Sequence, residues 1–298
     1  MAMAGASDVY SKANDLFQHF LRIPVSLASV FRVSNALGAQ LESVLTEPAP
    51  EPVEVPASEV VYASMDGSMV QTDDGYKEVK AGRVWAQSSI TANGSTRNRI
   101  TESRYSAHLG HYSDFLPKFE ASLSHLWIAN PRQAEESNLV FITDGANWIH
   151  AYTTTHYPAA THILDYFHAV ERLHTFSTTI GLPATWFDEQ CKALKEQGVS
   201  NVIHAVEKQT CTNANSLTAQ NNLLTYYRNN AARMDYPAYL KRGLCIGNGA
   251  MEAANRTLVQ TRCKRSGQIW SEKGVNHILN LRSVLQSNNW EQVVRLLS

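Results

Sequence analysis

Residues 139–143, Leu-Val-Phe-Ile-Thr, form an unbroken apolar run closed by Asp144-Gly145. A strand without polar alternation has no face for water, so it belongs at the centre of a sheet covered on both sides. A second run, Val60 to Met65, reads as another buried strand and is closed by Asp66-Gly67. Two such runs point to an α/β chain in which helices cover a sheet.

The rest of the pattern fits that frame. Tyr76–Ser89 alternates as a strand and can pair back on Val60–Met65 through a turn at Asp73-Asp74-Gly75. Ser103–Leu109 supplies a third strand, and Tyr112–Ile128 reads as an amphipathic helix through Phe115, Phe119, Leu123, Leu126 and Trp127. A helix is expected from about Asn147 to before Pro158. After it come a strand at Thr161–Leu164 and a helix at about Phe167–Phe176. Residues 181–244 look helical, with no convincing strand, and lead to a glycine-opened helix carrying Glu252. Three strands, helix, strand, helix, strand is the order of an RNase H-like mixed sheet flanked by helices. The helical stretch is then an insertion before the last catalytic helix.

The expected domains are a helical region at 1–45, a linker at 46–59 and the α/β domain at 60–298. In the first, Pro24 interrupts the helical pattern and Ser26 caps a second helix beginning at Leu27. This hairpin reads as part of a helix-turn-helix, with Ser29, Arg32 and Asn35 outward, or as a plain helical pair. The linker has prolines at 48, 50, 52 and 56 among glutamates at 47, 51, 54 and 59, which makes it extended and acidic.

Composition narrows the classes. At 298 residues, 44% apolar and 18% charged, the chain is an ordinary globular protein of about two domains' length. It contains no run of about 18 uncharged apolar residues, so a membrane span is not expected. Without a basic segment, apolar stretch and cleavage site at the N-terminus, secretion is not expected either, leaving a cytoplasmic location. Four scattered cysteines, with no C-x-x-C pair, fit a reducing compartment. The net charge of −1 hides a cationic stretch between Tyr226 and Lys273, which includes Arg256, Arg262, Lys264 and Arg265. Such a stripe reads as a phosphate-binding face or as a solvated helix surface. Trp270 at its end is a candidate for stacking on unpaired bases, or a core residue.

The chemistry rests on three acids. Asp66 and Asp144 close strands that lie side by side if they pair in parallel, and Glu252 joins them if its helix crosses the same sheet edge. Three converging carboxylates repel one another unless cations neutralise them. Two Mg²⁺ or Mn²⁺ ions would do so, and hard divalent ions prefer oxygen ligands. On the helix, Met251, Ala254 and Leu258 share a buried face and Glu252 a neighbouring one, with Arg256 a turn away for phosphate. Either Asp-Gly alone also reads as a turn.

At these residues the chain resembles bacterial insertion-sequence transposases of the DDE type, in particular the ISKra group. The resemblance is carried by Met65-Asp66-Gly67, Phe141–Ala146, Ile163–His168, Gly247–Glu252 and Arg262–Ser271. It runs from about residue 20 to the C-terminus. It implies an RNase H-like core with Asp66, Asp144 and Glu252 as the metal-binding triad for two Mg²⁺ or Mn²⁺ ions. It also implies a role for the pair Asp165 and His168 beside that triad, with His168 contacting the scissile phosphate or assisting proton transfer. The expected activity is hydrolysis of a phosphodiester at element ends, followed by attack of the freed 3′-hydroxyl on target DNA. DNA is then the partner, a homo-oligomer forms on it, and the location is the bacterial nucleoid. Family members usually carry a longer N-terminal region, so part of an end-recognition module is expected to be missing. A nuclease that cuts without joining, and a truncated or domesticated DNA-binding protein, are the alternatives.

Overall fold

The computed structural model describes residues 1–48, 59–93, 97–126 and 138–297. It is an α/β protein with a five-stranded mixed sheet, order β5-β2-β1-β6-β7, and flanking helices. The strands are β1 (Val61–Thr72), β2 (Gly75–Ala86), β5 (Arg104–Leu109), β6 (Leu139–Thr143) and β7 (Thr161–Leu164). A separate hairpin, β3 (Ile90–Asn93) with β4 (Arg97–Ile100), was not foreseen from the sequence. Residues 49–58 of the Pro/Glu linker, and Trp127 and Ile128 of the expected helix, lie outside the described residues. By packing, the chain divides into two compact units, Met1–Leu139 with Gly249–Ser298, and Val140–Asn248.

In the first unit β1 and β2 form a long antiparallel hairpin turned at Asp73-Asp74, with Thr72 opposite Gly75. Gly75 takes a positive φ of 89°, and the Thr72 hydroxyl donates to its carbonyl at 2.7 Å. β5 adds antiparallel to β2. One expectation changes here: Asp66 does not end its strand. β1 continues to Thr72, and Asp66 sits mid-strand opposite Ala81. Ser68 to Thr72 keep a buried inward set at Ser68, Val70 and Thr72, so the ladder persists until the aspartate pair permits a turn.

The Leu27–Val44 helix is capped by Ser26, whose hydroxyl accepts from the Ser29 N–H at 3.1 Å. It packs along the Glu272–Gln286 helix, and Gly38 is the contact point. A Cβ there would lie 2.3 Å from the His277 carbonyl oxygen, so only glycine allows this approach. Leu37, Leu41, Ile278 and Leu281 share the buried core with Val79 and Ala107 of the sheet. On the outer side of the hairpin Arg32 is exposed. Ser29 and Asn35 are half-buried, and Asn35 is bonded to the Phe31 carbonyl and to His277.

In the second unit β6 and β7 pair in parallel, Val140 opposite Thr161 through Thr143 opposite Leu164. All five residues of β6 are buried, as its apolar sequence requires. The helix Asn147–His156 connects the two strands, and Tyr166–Ile180 follows β7. Four helices between Ala184 and Lys241 complete the unit, in agreement with the helical stretch read at 181–244.

Candidate active site

The three acids are divided between the units. Asp66 and Glu252 belong to the first, Asp144 to the second along with Asp165 and His168.

In the first unit Asp66 and Ser68 share one face of β1, because side chains alternate along a strand. Asp66 Oδ1 accepts from the Gly67 N–H at 2.7 Å, and Oδ2 accepts from Nδ2 of Asn255, 189 residues away. Asn255 directly follows the short helix Gly249–Ala254. The start of that helix is held by buried Arg83 of β2, whose Nη1 donates to the Ala250 carbonyl at 2.8 Å while Nε donates to Ser103. Glu252 lies between these two anchors, within about one helical turn of each, with its side chain exposed. Met251, Ala254 and Leu258 are buried as the helical pattern required, and Val259 beside them is buried as well. A π-helical turn over Asn255–Gln260 shifts the faces and accounts for that.

In the second unit Asp144 and Asp165 occupy the carboxyl ends of two parallel strands, the end at which open α/β sheets place ligands. Asp144 closes a turn, its Oδ1 accepting from the Ala146 N–H at 3.0 Å. Gly145 follows at φ 94°, a conformation that costs any residue with a Cβ. The Tyr226 hydroxyl donates to the Asp144 carbonyl at 3.3 Å, with Arg172 stacked 5.2 Å over the tyrosine ring. Asp165 is buried and heavily used. Its Oδ1 accepts from the N–H groups of Phe167 at 3.2 Å and Asn248 at 2.9 Å, and its backbone N–H donates to Thr143 at 2.8 Å. Its Oδ2 stands 3.6 Å from Nδ1 of His168. That bond raises the His168 pKa above its ordinary 6.5 against the opposing effect of burial, and the charges of Asp144, Asp165 and Glu171 add to it. Arg233 is buried nearby and feels the Asp144 charge, although burial itself pulls its pKa down. The sites at the two strand ends therefore combine carboxylates with a histidine biased towards its cationic form.

The cationic stretch separates into surface and interior. Arg256 is exposed, and Lys264 is exposed with Nζ 3.5 Å from the Ser68 hydroxyl, two residues from Asp66 on the same strand face. Arg265 is paired with Asp8 at 2.9 Å. Arg262 and Trp270 lie inside. Arg262 is 1% exposed, and its guanidinium stacks 4.8 Å from both the Tyr10 and Trp270 rings. Trp270 Nε1 donates to the Cys263 carbonyl at 3.1 Å.

An all-oxygen donor set of Asp66, Asp144 and Glu252 suits Mg²⁺ or Mn²⁺ in kind. Among the described residues no group of three or more His, Cys, Asp or Glu is drawn together as a metal cage. Sequence reasoning missed Asn255 and Arg83, and read Arg233 only as part of the cationic stretch. The only available signal was their helical or strand register relative to the acids. Protein-family models and curated proteins give no match to this chain.

Proposed function

We propose that this chain is a DNA transposase of the DDE type with an RNase H-like core. It would cut a phosphodiester at element ends and join the freed 3′-hydroxyl to target DNA. The observation that carries the reading is the bond from Asn255 to Asp66. It ties the helical segment that carries Glu252 to the strand that carries the first aspartate, although these residues are remote in sequence. The order of the sheet supports it, because an antiparallel three-strand ribbon followed by two parallel strands is the arrangement expected of an RNase H-like core.

Two divalent ions, held by Asp66, Asp144 and Glu252, would supply Lewis-acid stabilisation of the attacking and leaving oxygens. The chain's own residues do the rest. Lys264 and Arg256 neutralise backbone phosphates on the Glu252 side, in keeping with their exposure. His168, whose pKa Asp165 raises, would contact the scissile phosphate or assist proton transfer. Two ends processed together call for a homo-oligomer on DNA, and the chain would work at the bacterial nucleoid. No helix among the described residues is long and apolar enough to cross a membrane.

The test is cleavage and joining of DNA bearing the element's terminal repeats, in Mg²⁺ or Mn²⁺. Asp66→Ala, Asp144→Ala and Glu252→Ala should each reduce both steps to background while the protein remains folded by circular dichroism. Strand transfer unimpaired in Asp144→Ala would overturn the proposal. Cutting without any joined product would move it to a nuclease.

A further inference from the structure

The N-terminal helical hairpin of the first unit carries apolar side chains that stay open to solvent. Its first arm runs through Tyr10–Leu16 and a π-helical turn at Phe17–Leu21, and its second is the Leu27–Val44 helix. The arms meet at the Tyr10 and Phe31 rings, edge-on with centroids 5.4 Å apart. Leu37 and Leu41 fix the second arm to the core, and Ala13 and Val30 are the last buried positions before the tip. From Asn14 to Ser29 no residue is buried. Phe20 is 79% exposed, and Leu16, Leu21, Ile23, Leu27 and Phe31 are each about half exposed.

Two physical arguments call for a partner here. A helix as short as this first arm is marginal in water by itself and gains its stability from packing an apolar face. Past Ala13 that face is unburied. The six exposed side chains also leave roughly 600 Å² of apolar surface open, counting ~150–250 Å² for each in full. That is the upper end of what monomeric proteins expose in one patch. It also approaches the ~800 Å² that each copy contributes to a stable interface. Charge indicates the kind of partner. Asp15 precedes the exposed run and Arg22 follows it, and neither is in an ion pair among the described residues. A nucleic-acid surface would be cationic, whereas one acid and one base flank this apolar run. Opposite charges at its two ends suit a second copy related by a two-fold axis, because each acid then faces the other copy's base.

We infer that this hairpin is a homodimer interface. Two copies pack residues 16–31 against one another about a two-fold axis, with Asp15 of each copy facing Arg22 of the other. The dimer forms without DNA or metal. The inference therefore does not rest on the triad or on transposition. It names the face that would join two copies in an assembly on DNA, and inactive triad variants should still dimerise.

The experiment is sedimentation velocity of the full chain, without DNA or divalent ions, over a concentration series. A reversible monomer–dimer equilibrium is expected. Phe20→Glu places a charge in the patch and should weaken association about thirtyfold or more, as loss of a central aromatic anchor does, with the circular dichroism spectrum unchanged. Asp15→Arg and Arg22→Asp should each weaken association several-fold by setting like charges together. An equimolar mixture of these two variants should regain the parent's affinity, because in the mixed dimer both contacts again join acid to base. Only a second copy as partner gives that recovery. Should Phe20→Glu fail to fold, the mixture still decides, since Asp15 and Arg22 are both exposed. A parent that stays monomeric at every concentration, a Phe20→Glu dimer as tight as the parent's, or a mixture that dissociates as readily as its components would overturn the inference. So would a monomer that binds vesicles of anionic lipid through Phe20, which would assign the patch to a membrane surface.

Discussion

Removing the carboxylate of Glu42 should destabilise the first unit more than removing the amine it pairs with. Lys118 is 2% exposed, and its ammonium is fully committed: 2.8 Å to Glu42 Oε1, 2.9 Å to Asn280 Oδ1 and 3.1 Å to His108 Nδ1. Asn280 in turn donates to Glu42 Oε2 and to the Gly38 carbonyl, so four elements meet at one buried cation. Glu42→Ala leaves that cation without a counter-charge. Breaking a fully buried pair this way costs roughly 3–5 kcal/mol, but Glu42 is 46% exposed, and water already screens it. We expect about 2–3 kcal/mol on that ground. Lys118→Met removes the buried charge itself and leaves Glu42 reachable by water. Its cost should be about 1 kcal/mol, chiefly the bond that Asn280 Oδ1 loses.

Urea unfolding of parent, both single variants and the double variant measures these differences and their coupling. Acidity gives an independent check. Burial pushes the Glu42 carboxyl up, yet bonds from Lys118 and Asn280 and the charge of Lys118 together hold it below its ordinary 4.5. A lowered carboxyl contributes stability that is present above the ordinary value and is lost as pH falls through the folded one. The gap between parent and Glu42→Ala should therefore close in acid. Lys118→Met proving as damaging as Glu42→Ala at neutral pH, or a gap undiminished at about pH 3, would refute the reasoning.

Three further outcomes are expected. The raised pKa of His168 means that its stabilisation is complete below 6.5 and lost as pH rises through the folded value. Asp165→Asn should lower the His168 titration midpoint measured by NMR, and an unmoved midpoint would break the proposed pair. Gly145→Ala places a Cβ at φ 94° and 3.0 Å from a methyl of Leu164, and should cost about 1–2 kcal/mol in unfolding experiments. A cost indistinguishable from zero would mean that the turn relaxes freely. Asn255→Ala removes the donor to Asp66 and should lower strand-transfer rate by about 10–100-fold through misplacement of the Glu252 segment. Full activity in that variant would show that the tie does not set the geometry.

How much of this was legible beforehand depended on what each residue's pattern reports. Leu139–Thr143 and Thr161–Leu164 form strands with the bounds read from sequence, because short apolar runs between turn formers have little freedom. The Asp73-Asp74-Gly75 turn and the Ser26 cap were readable for the same reason: each is local chemistry. The mid-strand position of Asp66 was not readable. Asp66-Gly67 has the composition of a turn, and only pairing with Lys80 and Ala81 across the hairpin keeps it extended. Nor was the fate of the basic stretch. Charge alone places Arg262 at the surface, whereas Tyr10 and Trp270, remote in sequence from each other, enclose it. Tertiary packing against distant rings overrides composition wherever a long amphipathic side chain can bury its stem.

The π-turn at Asn255–Gln260 links the Asp66 tie to buried Arg262. In an unbroken α-helix, buried positions would recur at spacings of three and four. Here they come as adjacent pairs, Ala254 with Asn255, Leu258 with Val259, Arg262 with Cys263, each pair four residues after the last. A wider turn brings each new pair back to the same side, so one continuous segment can present Asn255 to Asp66 and Arg262 to the Tyr10–Trp270 sandwich. π-turns are rare and are found most often where a side chain's position matters more than regular hydrogen bonding. Restoring α-helical phase by deleting one residue within 255–260 would rotate every later side chain by about 100°. Such a deletion after Asn255 would leave the Asp66 tie in place and carry Arg262 away from the Tyr10 and Trp270 rings.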